Sequence, residues 1–415
     1  MKQVLVVGGG AAGMMAAAVA AKYGARVFLL EKQSRVGMKL SITGKGRCNL
    51  TSAEEDIERF IAGYARNGQF LFTALNAFSN LDLIRFFQEH GLDCKIERGQ
   101  RVFPQSDKAS DVVRVLYENL ERLGVDVNKS QGVKALLFQD GKAIGVQTQK
   151  GKVLADAVII ATGGMSYPRT GSTGDGYRWA AAAGHHIIEP RPGLVPLVVE
   201  ESWVSELQGL SLRNVRATAW SSKGKKINED FGEMLFTHFG VSGPIILSMS
   251  RDIAEELFQQ EKVRLVLDLK PALNEETLDQ RLQRDLALYS RRQFRNSLDD
   301  LLPRKLIPLM VRLSGIDPQK ASNQVSRQER KKLLQLLKEF ELTVVATRPI
   351  DEAIVTAGGV DVKEVDPRTM QSRLVKALFF AGEILDIDGY TGGFNLQAAF
   401  STGYLAGKNA ALLYG

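Results

Sequence analysis

An α/β fold built around a buried parallel sheet is predicted by three features of this 415-residue chain. It starts with an apolar strand, a glycine turn and a helix. A second apolar strand runs into glycines in mid-chain, and a third strand, glycine turn and helix close the sequence. In the first of these, Val4-Leu5-Val6-Val7 reads as a strand buried on both faces. Gly8, Gly10 and Gly13 let the chain turn, approach a pyrophosphate and pack helix against strand. Ala11 and Ala12 open a helix to Lys22, rich in alanine and methionine, whose N-terminus faces the phosphates. Gly24 stops that helix, and a second apolar strand ends at Glu31, about 20 residues past the glycines, where a carboxylate accepts ribose hydroxyls and repels a 2′-phosphate. Lys32 beside it joins the candidate cofactor contacts. A complete dinucleotide-binding unit at the chain start points to FAD.

The mid-chain signal begins with Gln131–Phe138 and Ala143–Gln149, read as paired strands around Asp140-Gly141, with Val133 placed to meet the cofactor. Val153–Ala161 reads as one buried strand running into Thr162-Gly163-Gly164. Flavoproteins with two dinucleotide domains return the chain beneath the cofactor at such a strand end, so Thr162 and Gly163 join the candidates. Thr170–Gly176 then leads a helix over Tyr177–Ala183. Prolines at 190, 192 and 196 mark a boundary. The expected organisation is a first cofactor-binding part over 1–190, a β-rich insert over 191–272, a helical insert over 273–340, a return strand within 341–353 and a closing cofactor-binding part over 354–415. In that closing part Ala377–Ala381 reads as a strand, followed by Gly382-Glu383. Gly392, Gly393, Phe394, Asn395 and Leu396 then start a helix that runs through Ala410. Bare amides and a helix N-terminus there suit the negative charge of reduced flavin at N1 and the C2 carbonyl.

Composition places the chain among globular enzymes: 44% hydrophobic and 24% charged residues suffice for a large core and argue against disorder. Apart from the glycine-punctuated start, no segment has the length and apolarity of a membrane span, and a cytoplasmic location is expected. Two cysteines without a CxxC and four histidines argue against a disulfide scaffold, a dithiol relay or a metal centre. The formal charge of +7 is concentrated: between Leu273 and Phe340 fourteen basic residues face nine acidic ones, which leaves +5 in one segment. A solvated helical face and a polyanion-binding surface both explain such a segment; Arg291, Arg292, Arg295, Arg304 and Lys305 are the candidate RNA contacts.

Taken together, Gly8–Gly13, Gly37-Met38-Lys39 with Gly44-Lys45-Gly46-Arg47-Cys48-Asn49, Phe236–Pro244 and Gly382–Asn395 resemble the bacterial HI0933-like FAD-dependent oxidoreductases over essentially the whole chain. Phe394 departs from the tyrosine common at its place. The resemblance implies a glutathione-reductase-like, Rossmann-type FAD domain interrupted by an insert with a β-rich and a helical part. It also implies that Lys39, Gly46 and Arg47 lie in a cofactor-contacting stretch. Names attached to this family include aminoacetone oxidase, a bile-acid dehydro-steroid reductase and a dihydrouridine-forming reductase of 23S ribosomal RNA.

A dehydro-steroid and uracil both present a C=C bond conjugated to a carbonyl, so one chemistry serves both: hydride from reduced flavin to the β-carbon and a proton to the α-carbon. Cys48 is the candidate acid, with packing against FAD as its alternative role. His238 and Asn49 are the other candidate catalytic contacts, with a structural role as the alternative for His238. Arg98, Arg101 and Lys108 around Phe103-Pro104 form a smaller basic cluster, for which a solvated loop is the favoured reading. No second GxGxxG follows a strand, so NAD(P)H is expected as a transient reductant, with another reductant as the alternative. The leading expectation is reduction of a uridine in 23S rRNA. The alternatives are a small-molecule flavin oxidoreductase acting on a steroid or an amine, and a flavin-bearing RNA-binding protein without turnover.

Overall fold

The computed structural model describes residues 1–259 and 262–413, which form two compact units, one from residues 1–193 and 350 onward and the other from the described residues between 194 and 349. The first unit is organised by a five-stranded parallel sheet in the order Leu378–Phe380, Ala157–Ile160, Gln3–Val7, Arg26–Leu30 and Asp126–Asn128. Val6 lies between Ile159 and Leu29, and all of Val4, Leu5 and Val6 are fully buried, as a strand covered on both faces demands. The helix Ala11–Lys22 follows the first strand and packs against the closing helix Phe394–Leu412. Their approach depends on missing side chains. A Cβ on Gly403 would sit 2.4 Å from the Ala12 carbonyl oxygen, and one on Gly407 would sit 2.3 Å from that of Ala16. Because the obstructing atoms are backbone, Gly403→Ala is expected to destabilise the unit by about 1–3 kcal/mol, read as a lower denaturant midpoint with an unchanged slope.

The sequence reading of Val153–Ala161 as one strand is corrected here. Gly151–Leu154 belongs to a separate antiparallel sheet with Lys142–Thr148 and Val133–Gln139, and only Ala157–Ile160 joins the parallel sheet. The chain turns at Asp156, whose carboxylate accepts the Gln3 N–H at 2.8 Å. The unit boundaries also shift from the expected ones. Ile187–Gly193 pairs with Val355–Val360, so residues 191–193 and 350–353 stay with the first unit.

The second unit is a closed six-stranded barrel. Leu197–Val199, Gly240–Ser242, Lys226–Phe236, Ser211–Trp220, Val263–Asp268 and Phe340–Thr347 follow one another, and the last pairs back to the first. Pro244–Gln259, inside the segment read as β-rich, is a helix. Helices Glu275–Leu288, Ile307–Ser314 and Arg327–Lys338 bury Leu278, Leu282, Met310, Leu333 and Leu337 in the same core as Phe236 and Phe340 of the barrel. One shared core makes a single unit of what the sequence divides at 272 and 340. Asn274 and Ser326 cap the first and third of these helices through their side chains.

Candidate active site

The candidate site lies at the C-terminal ends of the parallel strands, where open α/β sheets bind ligands. The glycine turn 8–13 divides its labour. A Cβ on Gly13 would meet the Gly8 carbonyl oxygen at 1.8 Å, so that position brings helix onto strand, whereas nothing lies within 4 Å of a Cβ on Gly10 and the backbone there is open to a ligand. Ala11 and Ala12 follow in a helix without a side-chain cap, leaving its first amides for an anion. Glu31 ends the second strand nearly buried, with its carboxylate accepting the N–H groups of Gly9 and Gln33, each at 2.7 Å. Lys32 reaches across to Thr173 Oγ1 at 2.5 Å and Asp175 at 2.7 Å, tying the loop before the helix Asp175–Ala182 to the strand end. The Gln131 N–H bonds the Glu31 carbonyl, and Val133 begins a strand two residues further on.

Thr162 and Gly163 follow the strand Ala157–Ile160. Thr162 Oγ1 is buried without a partner, and a Cβ on Gly176 would lie 2.1 Å from it. Next to them stands a polar knot that the sequence reading did not assemble. Lys39 Nζ donates to Ser166 Oγ at 2.6 Å and to Glu383 at 2.5 Å. The other Glu383 oxygen takes the Ser166 hydroxyl at 3.1 Å and the Thr356 N–H at 2.8 Å. Thr356 Oγ1 in turn accepts the N–H groups of Met165 and Ser166. Lys39 and Glu383 were candidates; Ser166 and Thr356 were missed. The one available signal for Thr356 is a hydroxyl residue inside the fully buried run Val355–Val360. Gly382, with φ at 80°, donates its N–H to Thr402 Oγ1 and so anchors the knot to the closing helix.

Gly392 and Gly393 carry positive φ at the uncapped start of the helix Phe394–Leu412. Several expected contacts here are used internally. With its amide oriented to satisfy its neighbours, Asn49 donates to the Thr51 and Val102 carbonyls and accepts the Gly393 N–H, each at 3.1 Å. It therefore positions the helix start. Asn395 does the same from the other side, its amide bonding both the N–H and the carbonyl of Gly389 at 2.8 Å. The Phe394 ring stands edge-on to Phe60 and Tyr64, and the Tyr64 hydroxyl donates to its carbonyl at 2.9 Å. Leu396 is half-buried one turn into the helix.

Two expected residues are engaged by the protein itself. Cys48 is 0% exposed within the hydrophobic core of the first unit, and that burial pushes its thiol up to about 12. That burial supports the packing role over the acid role. Arg47 is paired with Glu97 and Asp107 and lies over the Phe103 ring at 4.2 Å. Gly46, with φ at 83° and open space around it, remains available. His238 lies in the second unit, exposed in the turn between the strands Lys226–Phe236 and Gly240–Ser242, edge-on to Phe239 at 4.9 Å. Among the described residues, no group of three His, Cys, Asp or Glu could hold a metal, and no helix is long and apolar enough to cross a membrane.

In the helical part of the second unit, Arg281, Arg284, Lys320, Arg330 and Lys338 are paired with carboxylates, and Arg312 pairs with Glu206. Arg291, Arg295 and Arg304 are exposed with no carboxylate partner among the described residues, as are Lys331 and Lys332, whereas exposed Arg327 interacts with Asp279. Arg292 stacks on Tyr289 at 4.3 Å, and Lys305 donates to the Gln208 carbonyl at 2.5 Å. The segment 292–295 is hydrogen-bonded to 318–322, which fixes the backbone that carries Arg292 and Arg295.

Comparison with known proteins agrees with this architecture. The family model described as the HI0933-like protein Rossmann domain matches residues 2–409. A 3-dehydro-bile acid delta(4,6)-reductase of Clostridium scindens is 33% identical over 99% of both chains. A ribosomal RNA dihydrouridine synthase of Haemophilus influenzae is 30% identical over 96% of both. Among solved structures, the 3-ketosteroid-delta4-(5alpha)-dehydrogenase of Rhodococcus jostii RHA1 shares the fold with a TM-score of 0.56 at 16% identity, covering 99% of this chain and 97% of that one. With a glycine turn open at Gly10, an acid at the second strand end and a family match spanning nearly every residue, the chain belongs to the HI0933-like family and carries its Rossmann-type FAD-binding domain.

Proposed function

We propose that the protein is an FAD-dependent reductase of a C=C bond conjugated to a carbonyl, and that its substrate is a uridine of 23S ribosomal RNA, reduced to dihydrouridine in the cytoplasm with NAD(P)H as electron donor. When bound, reduced flavin supplies the hydride that the β-carbon accepts. The chain's own residues do the holding. The open backbone at Gly10 and the helix start at Ala11 receive the pyrophosphate, and Glu31 accepts the ribose hydroxyls. The Lys39–Glu383 pair and the Thr162 hydroxyl supply polar groups between the two ends of the cofactor. The helix starting at Phe394 turns its positive end toward the negative charge of the reduced ring.

The observation that carries the RNA reading is the set of exposed cations without a carboxylate partner among the described residues, Arg291, Arg295, Arg304, Lys331 and Lys332. An ion-paired surface would be merely solvated; unpaired cations suit phosphates. A uridine in a loop or an unfolded rRNA region meets the need for an unstacked base. The resemblance to the bile acid reductase favours a second reading, a small enone reduced by the same chemistry. Nucleoside mass spectrometry of 23S rRNA from a deletion strain and its complement decides between them: dihydrouridine lost in the first and restored in the second is expected, and an unchanged content overturns the RNA reading. In vitro, Arg291→Glu with Arg295→Glu is expected to weaken rRNA binding and lower its salt slope by about 2, with FAD content unchanged.

A further inference from the structure

We propose that a second cationic face, on the first unit and centred on Phe103, holds the RNA backbone through Lys45, Arg98, Arg101 and Lys108; this rests on the RNA reading above. Residues 94–104 form a hairpin, with Glu97 opposite Arg101, and the strand Arg101–Pro104 also pairs with Thr51–Ser52. The two acids beside this sheet, Glu97 and Asp107, are already held. Arg47 lies 2.5 Å from Glu97 and 2.6 Å from Asp107, and Lys95 lies 2.6 Å from Asp107. Hydrogen bonds from Arg47 hold Glu97 below the usual carboxylate range, and those from Lys95 and then Arg47 do the same for Asp107. Both acids therefore remain as structural anions.

Around them the remaining cations are unpaired. Lys45, Arg98 and Lys108 are exposed and Arg101 is half-buried, and none has a carboxylate partner among the described residues. Arg101 Nε donates only to the Arg98 carbonyl at 3.1 Å, and its guanidinium faces the Phe103 ring at 5.9 Å. Lys45 is held at φ 58° and ψ 38° between two glycines that also have positive φ. That conformation costs a non-glycine residue roughly 1–2 kcal/mol, so a cation is maintained where glycine would relieve strain. The turn is anchored. A Cβ on Gly44 would touch the Phe103 ring at 3.6 Å, and Asn49, four residues beyond Lys45, pins the Gly393 N–H at the start of the closing helix. The cations come from three separate segments, the turn at Lys45, the hairpin that carries Arg98 and Arg101, and the helix start at Lys108. Spread in this way they match a run of phosphates better than one small anion.

The test is filter binding of transcribed 23S rRNA to the FAD-loaded protein between 50 and 300 mM KCl. Lys45→Glu with Arg98→Glu and Arg101→Glu is expected to lower the salt slope by about 2–3 and weaken binding at least ~10-fold at low salt, without change in flavin absorbance. Lys45→Gly, which relieves the strained turn, is expected to raise the melting temperature while lowering the slope by about 0.7–0.9. Wild-type protein that binds no rRNA would overturn the RNA reading and this inference together. If wild type binds, if Arg291→Glu with Arg295→Glu weakens it, and if the triple variant still binds like wild type, the RNA reading stands and the Phe103 face is excluded.

Discussion

Cys48 in the native protein is expected to resist a thiol reagent at pH 8 on the order of 10³-fold more strongly than a free cysteine, because only the thiolate reacts and burial pushes this thiol up to about 12. A reagent reaches Cys48 only when the core opens, so its labelling should be slow at every pH and limited by that opening. Cys94, half-buried and pushed up to about 11, should label faster, and peptide mapping after labelling separates the two. The linkage has a definite sign. A thiol that ionises less readily in the folded state leaves stability intact below about pH 8.5 and lowers it as pH rises from there toward 12. Native Cys48 labelled at the rate of an unfolded-chain cysteine would refute this burial. The same burial predicts that Cys48→Ala still reoxidises reduced flavin with substrate at close to the wild-type rate. A loss of ~10²-fold or more would restore the thiol as the proton donor.

Glu31→Arg is expected to reduce FAD affinity about 10²-fold or more and to lower the thermal stability of the apoprotein. The carboxylate accepts two backbone amides at 2.7 Å in a nearly buried position, and hydrogen bonds to a charged group contribute about 1.5–3 kcal/mol each. Arginine removes both acceptors, places a cation against the orphaned N–H groups and removes the ribose acceptor. Glu31→Gln is the sharper variant, since its amide oxygen still receives one backbone N–H while the charge is lost. Titration of apoprotein with FAD, followed by flavin fluorescence, reads the affinity, and melting without FAD reads the backbone contribution. Stoichiometric FAD retained by Glu31→Arg would show that the ribose lies elsewhere.

Much of the cofactor unit was legible because its determinants lie close together in the chain. Strand, glycine turn, helix and terminal acid all fall within residues 3–31, and each imposes a local rule: apolar continuity, a missing Cβ, helix propensity, a carboxylate at a strand end. The closing helix and the glycines before it were readable for the same reason. The insert was legible only in part, since alternation marks strands such as Ser211–Trp220 but does not say that six of them close into a barrel.

The sequence by itself determined the fold class, the dinucleotide-binding start, the helix that closes the chain and the concentration of positive charge between Leu273 and Phe340. Only the tertiary structure decided which groups are available for chemistry. Lys39 finds Ser166 and Glu383 across 127 and 344 residues, and no periodicity records such a pairing. Asn49 and Asn395 have the side chains of ligand contacts but are used to fix the start of a helix. Cys48 and Arg47 are neighbours in the chain, yet one is sealed in the core and the other is gripped by two carboxylates. The difference is physical: backbone geometry follows from near neighbours, whereas burial, ion pairing and the freedom of a charge depend on which distant segments pack against it.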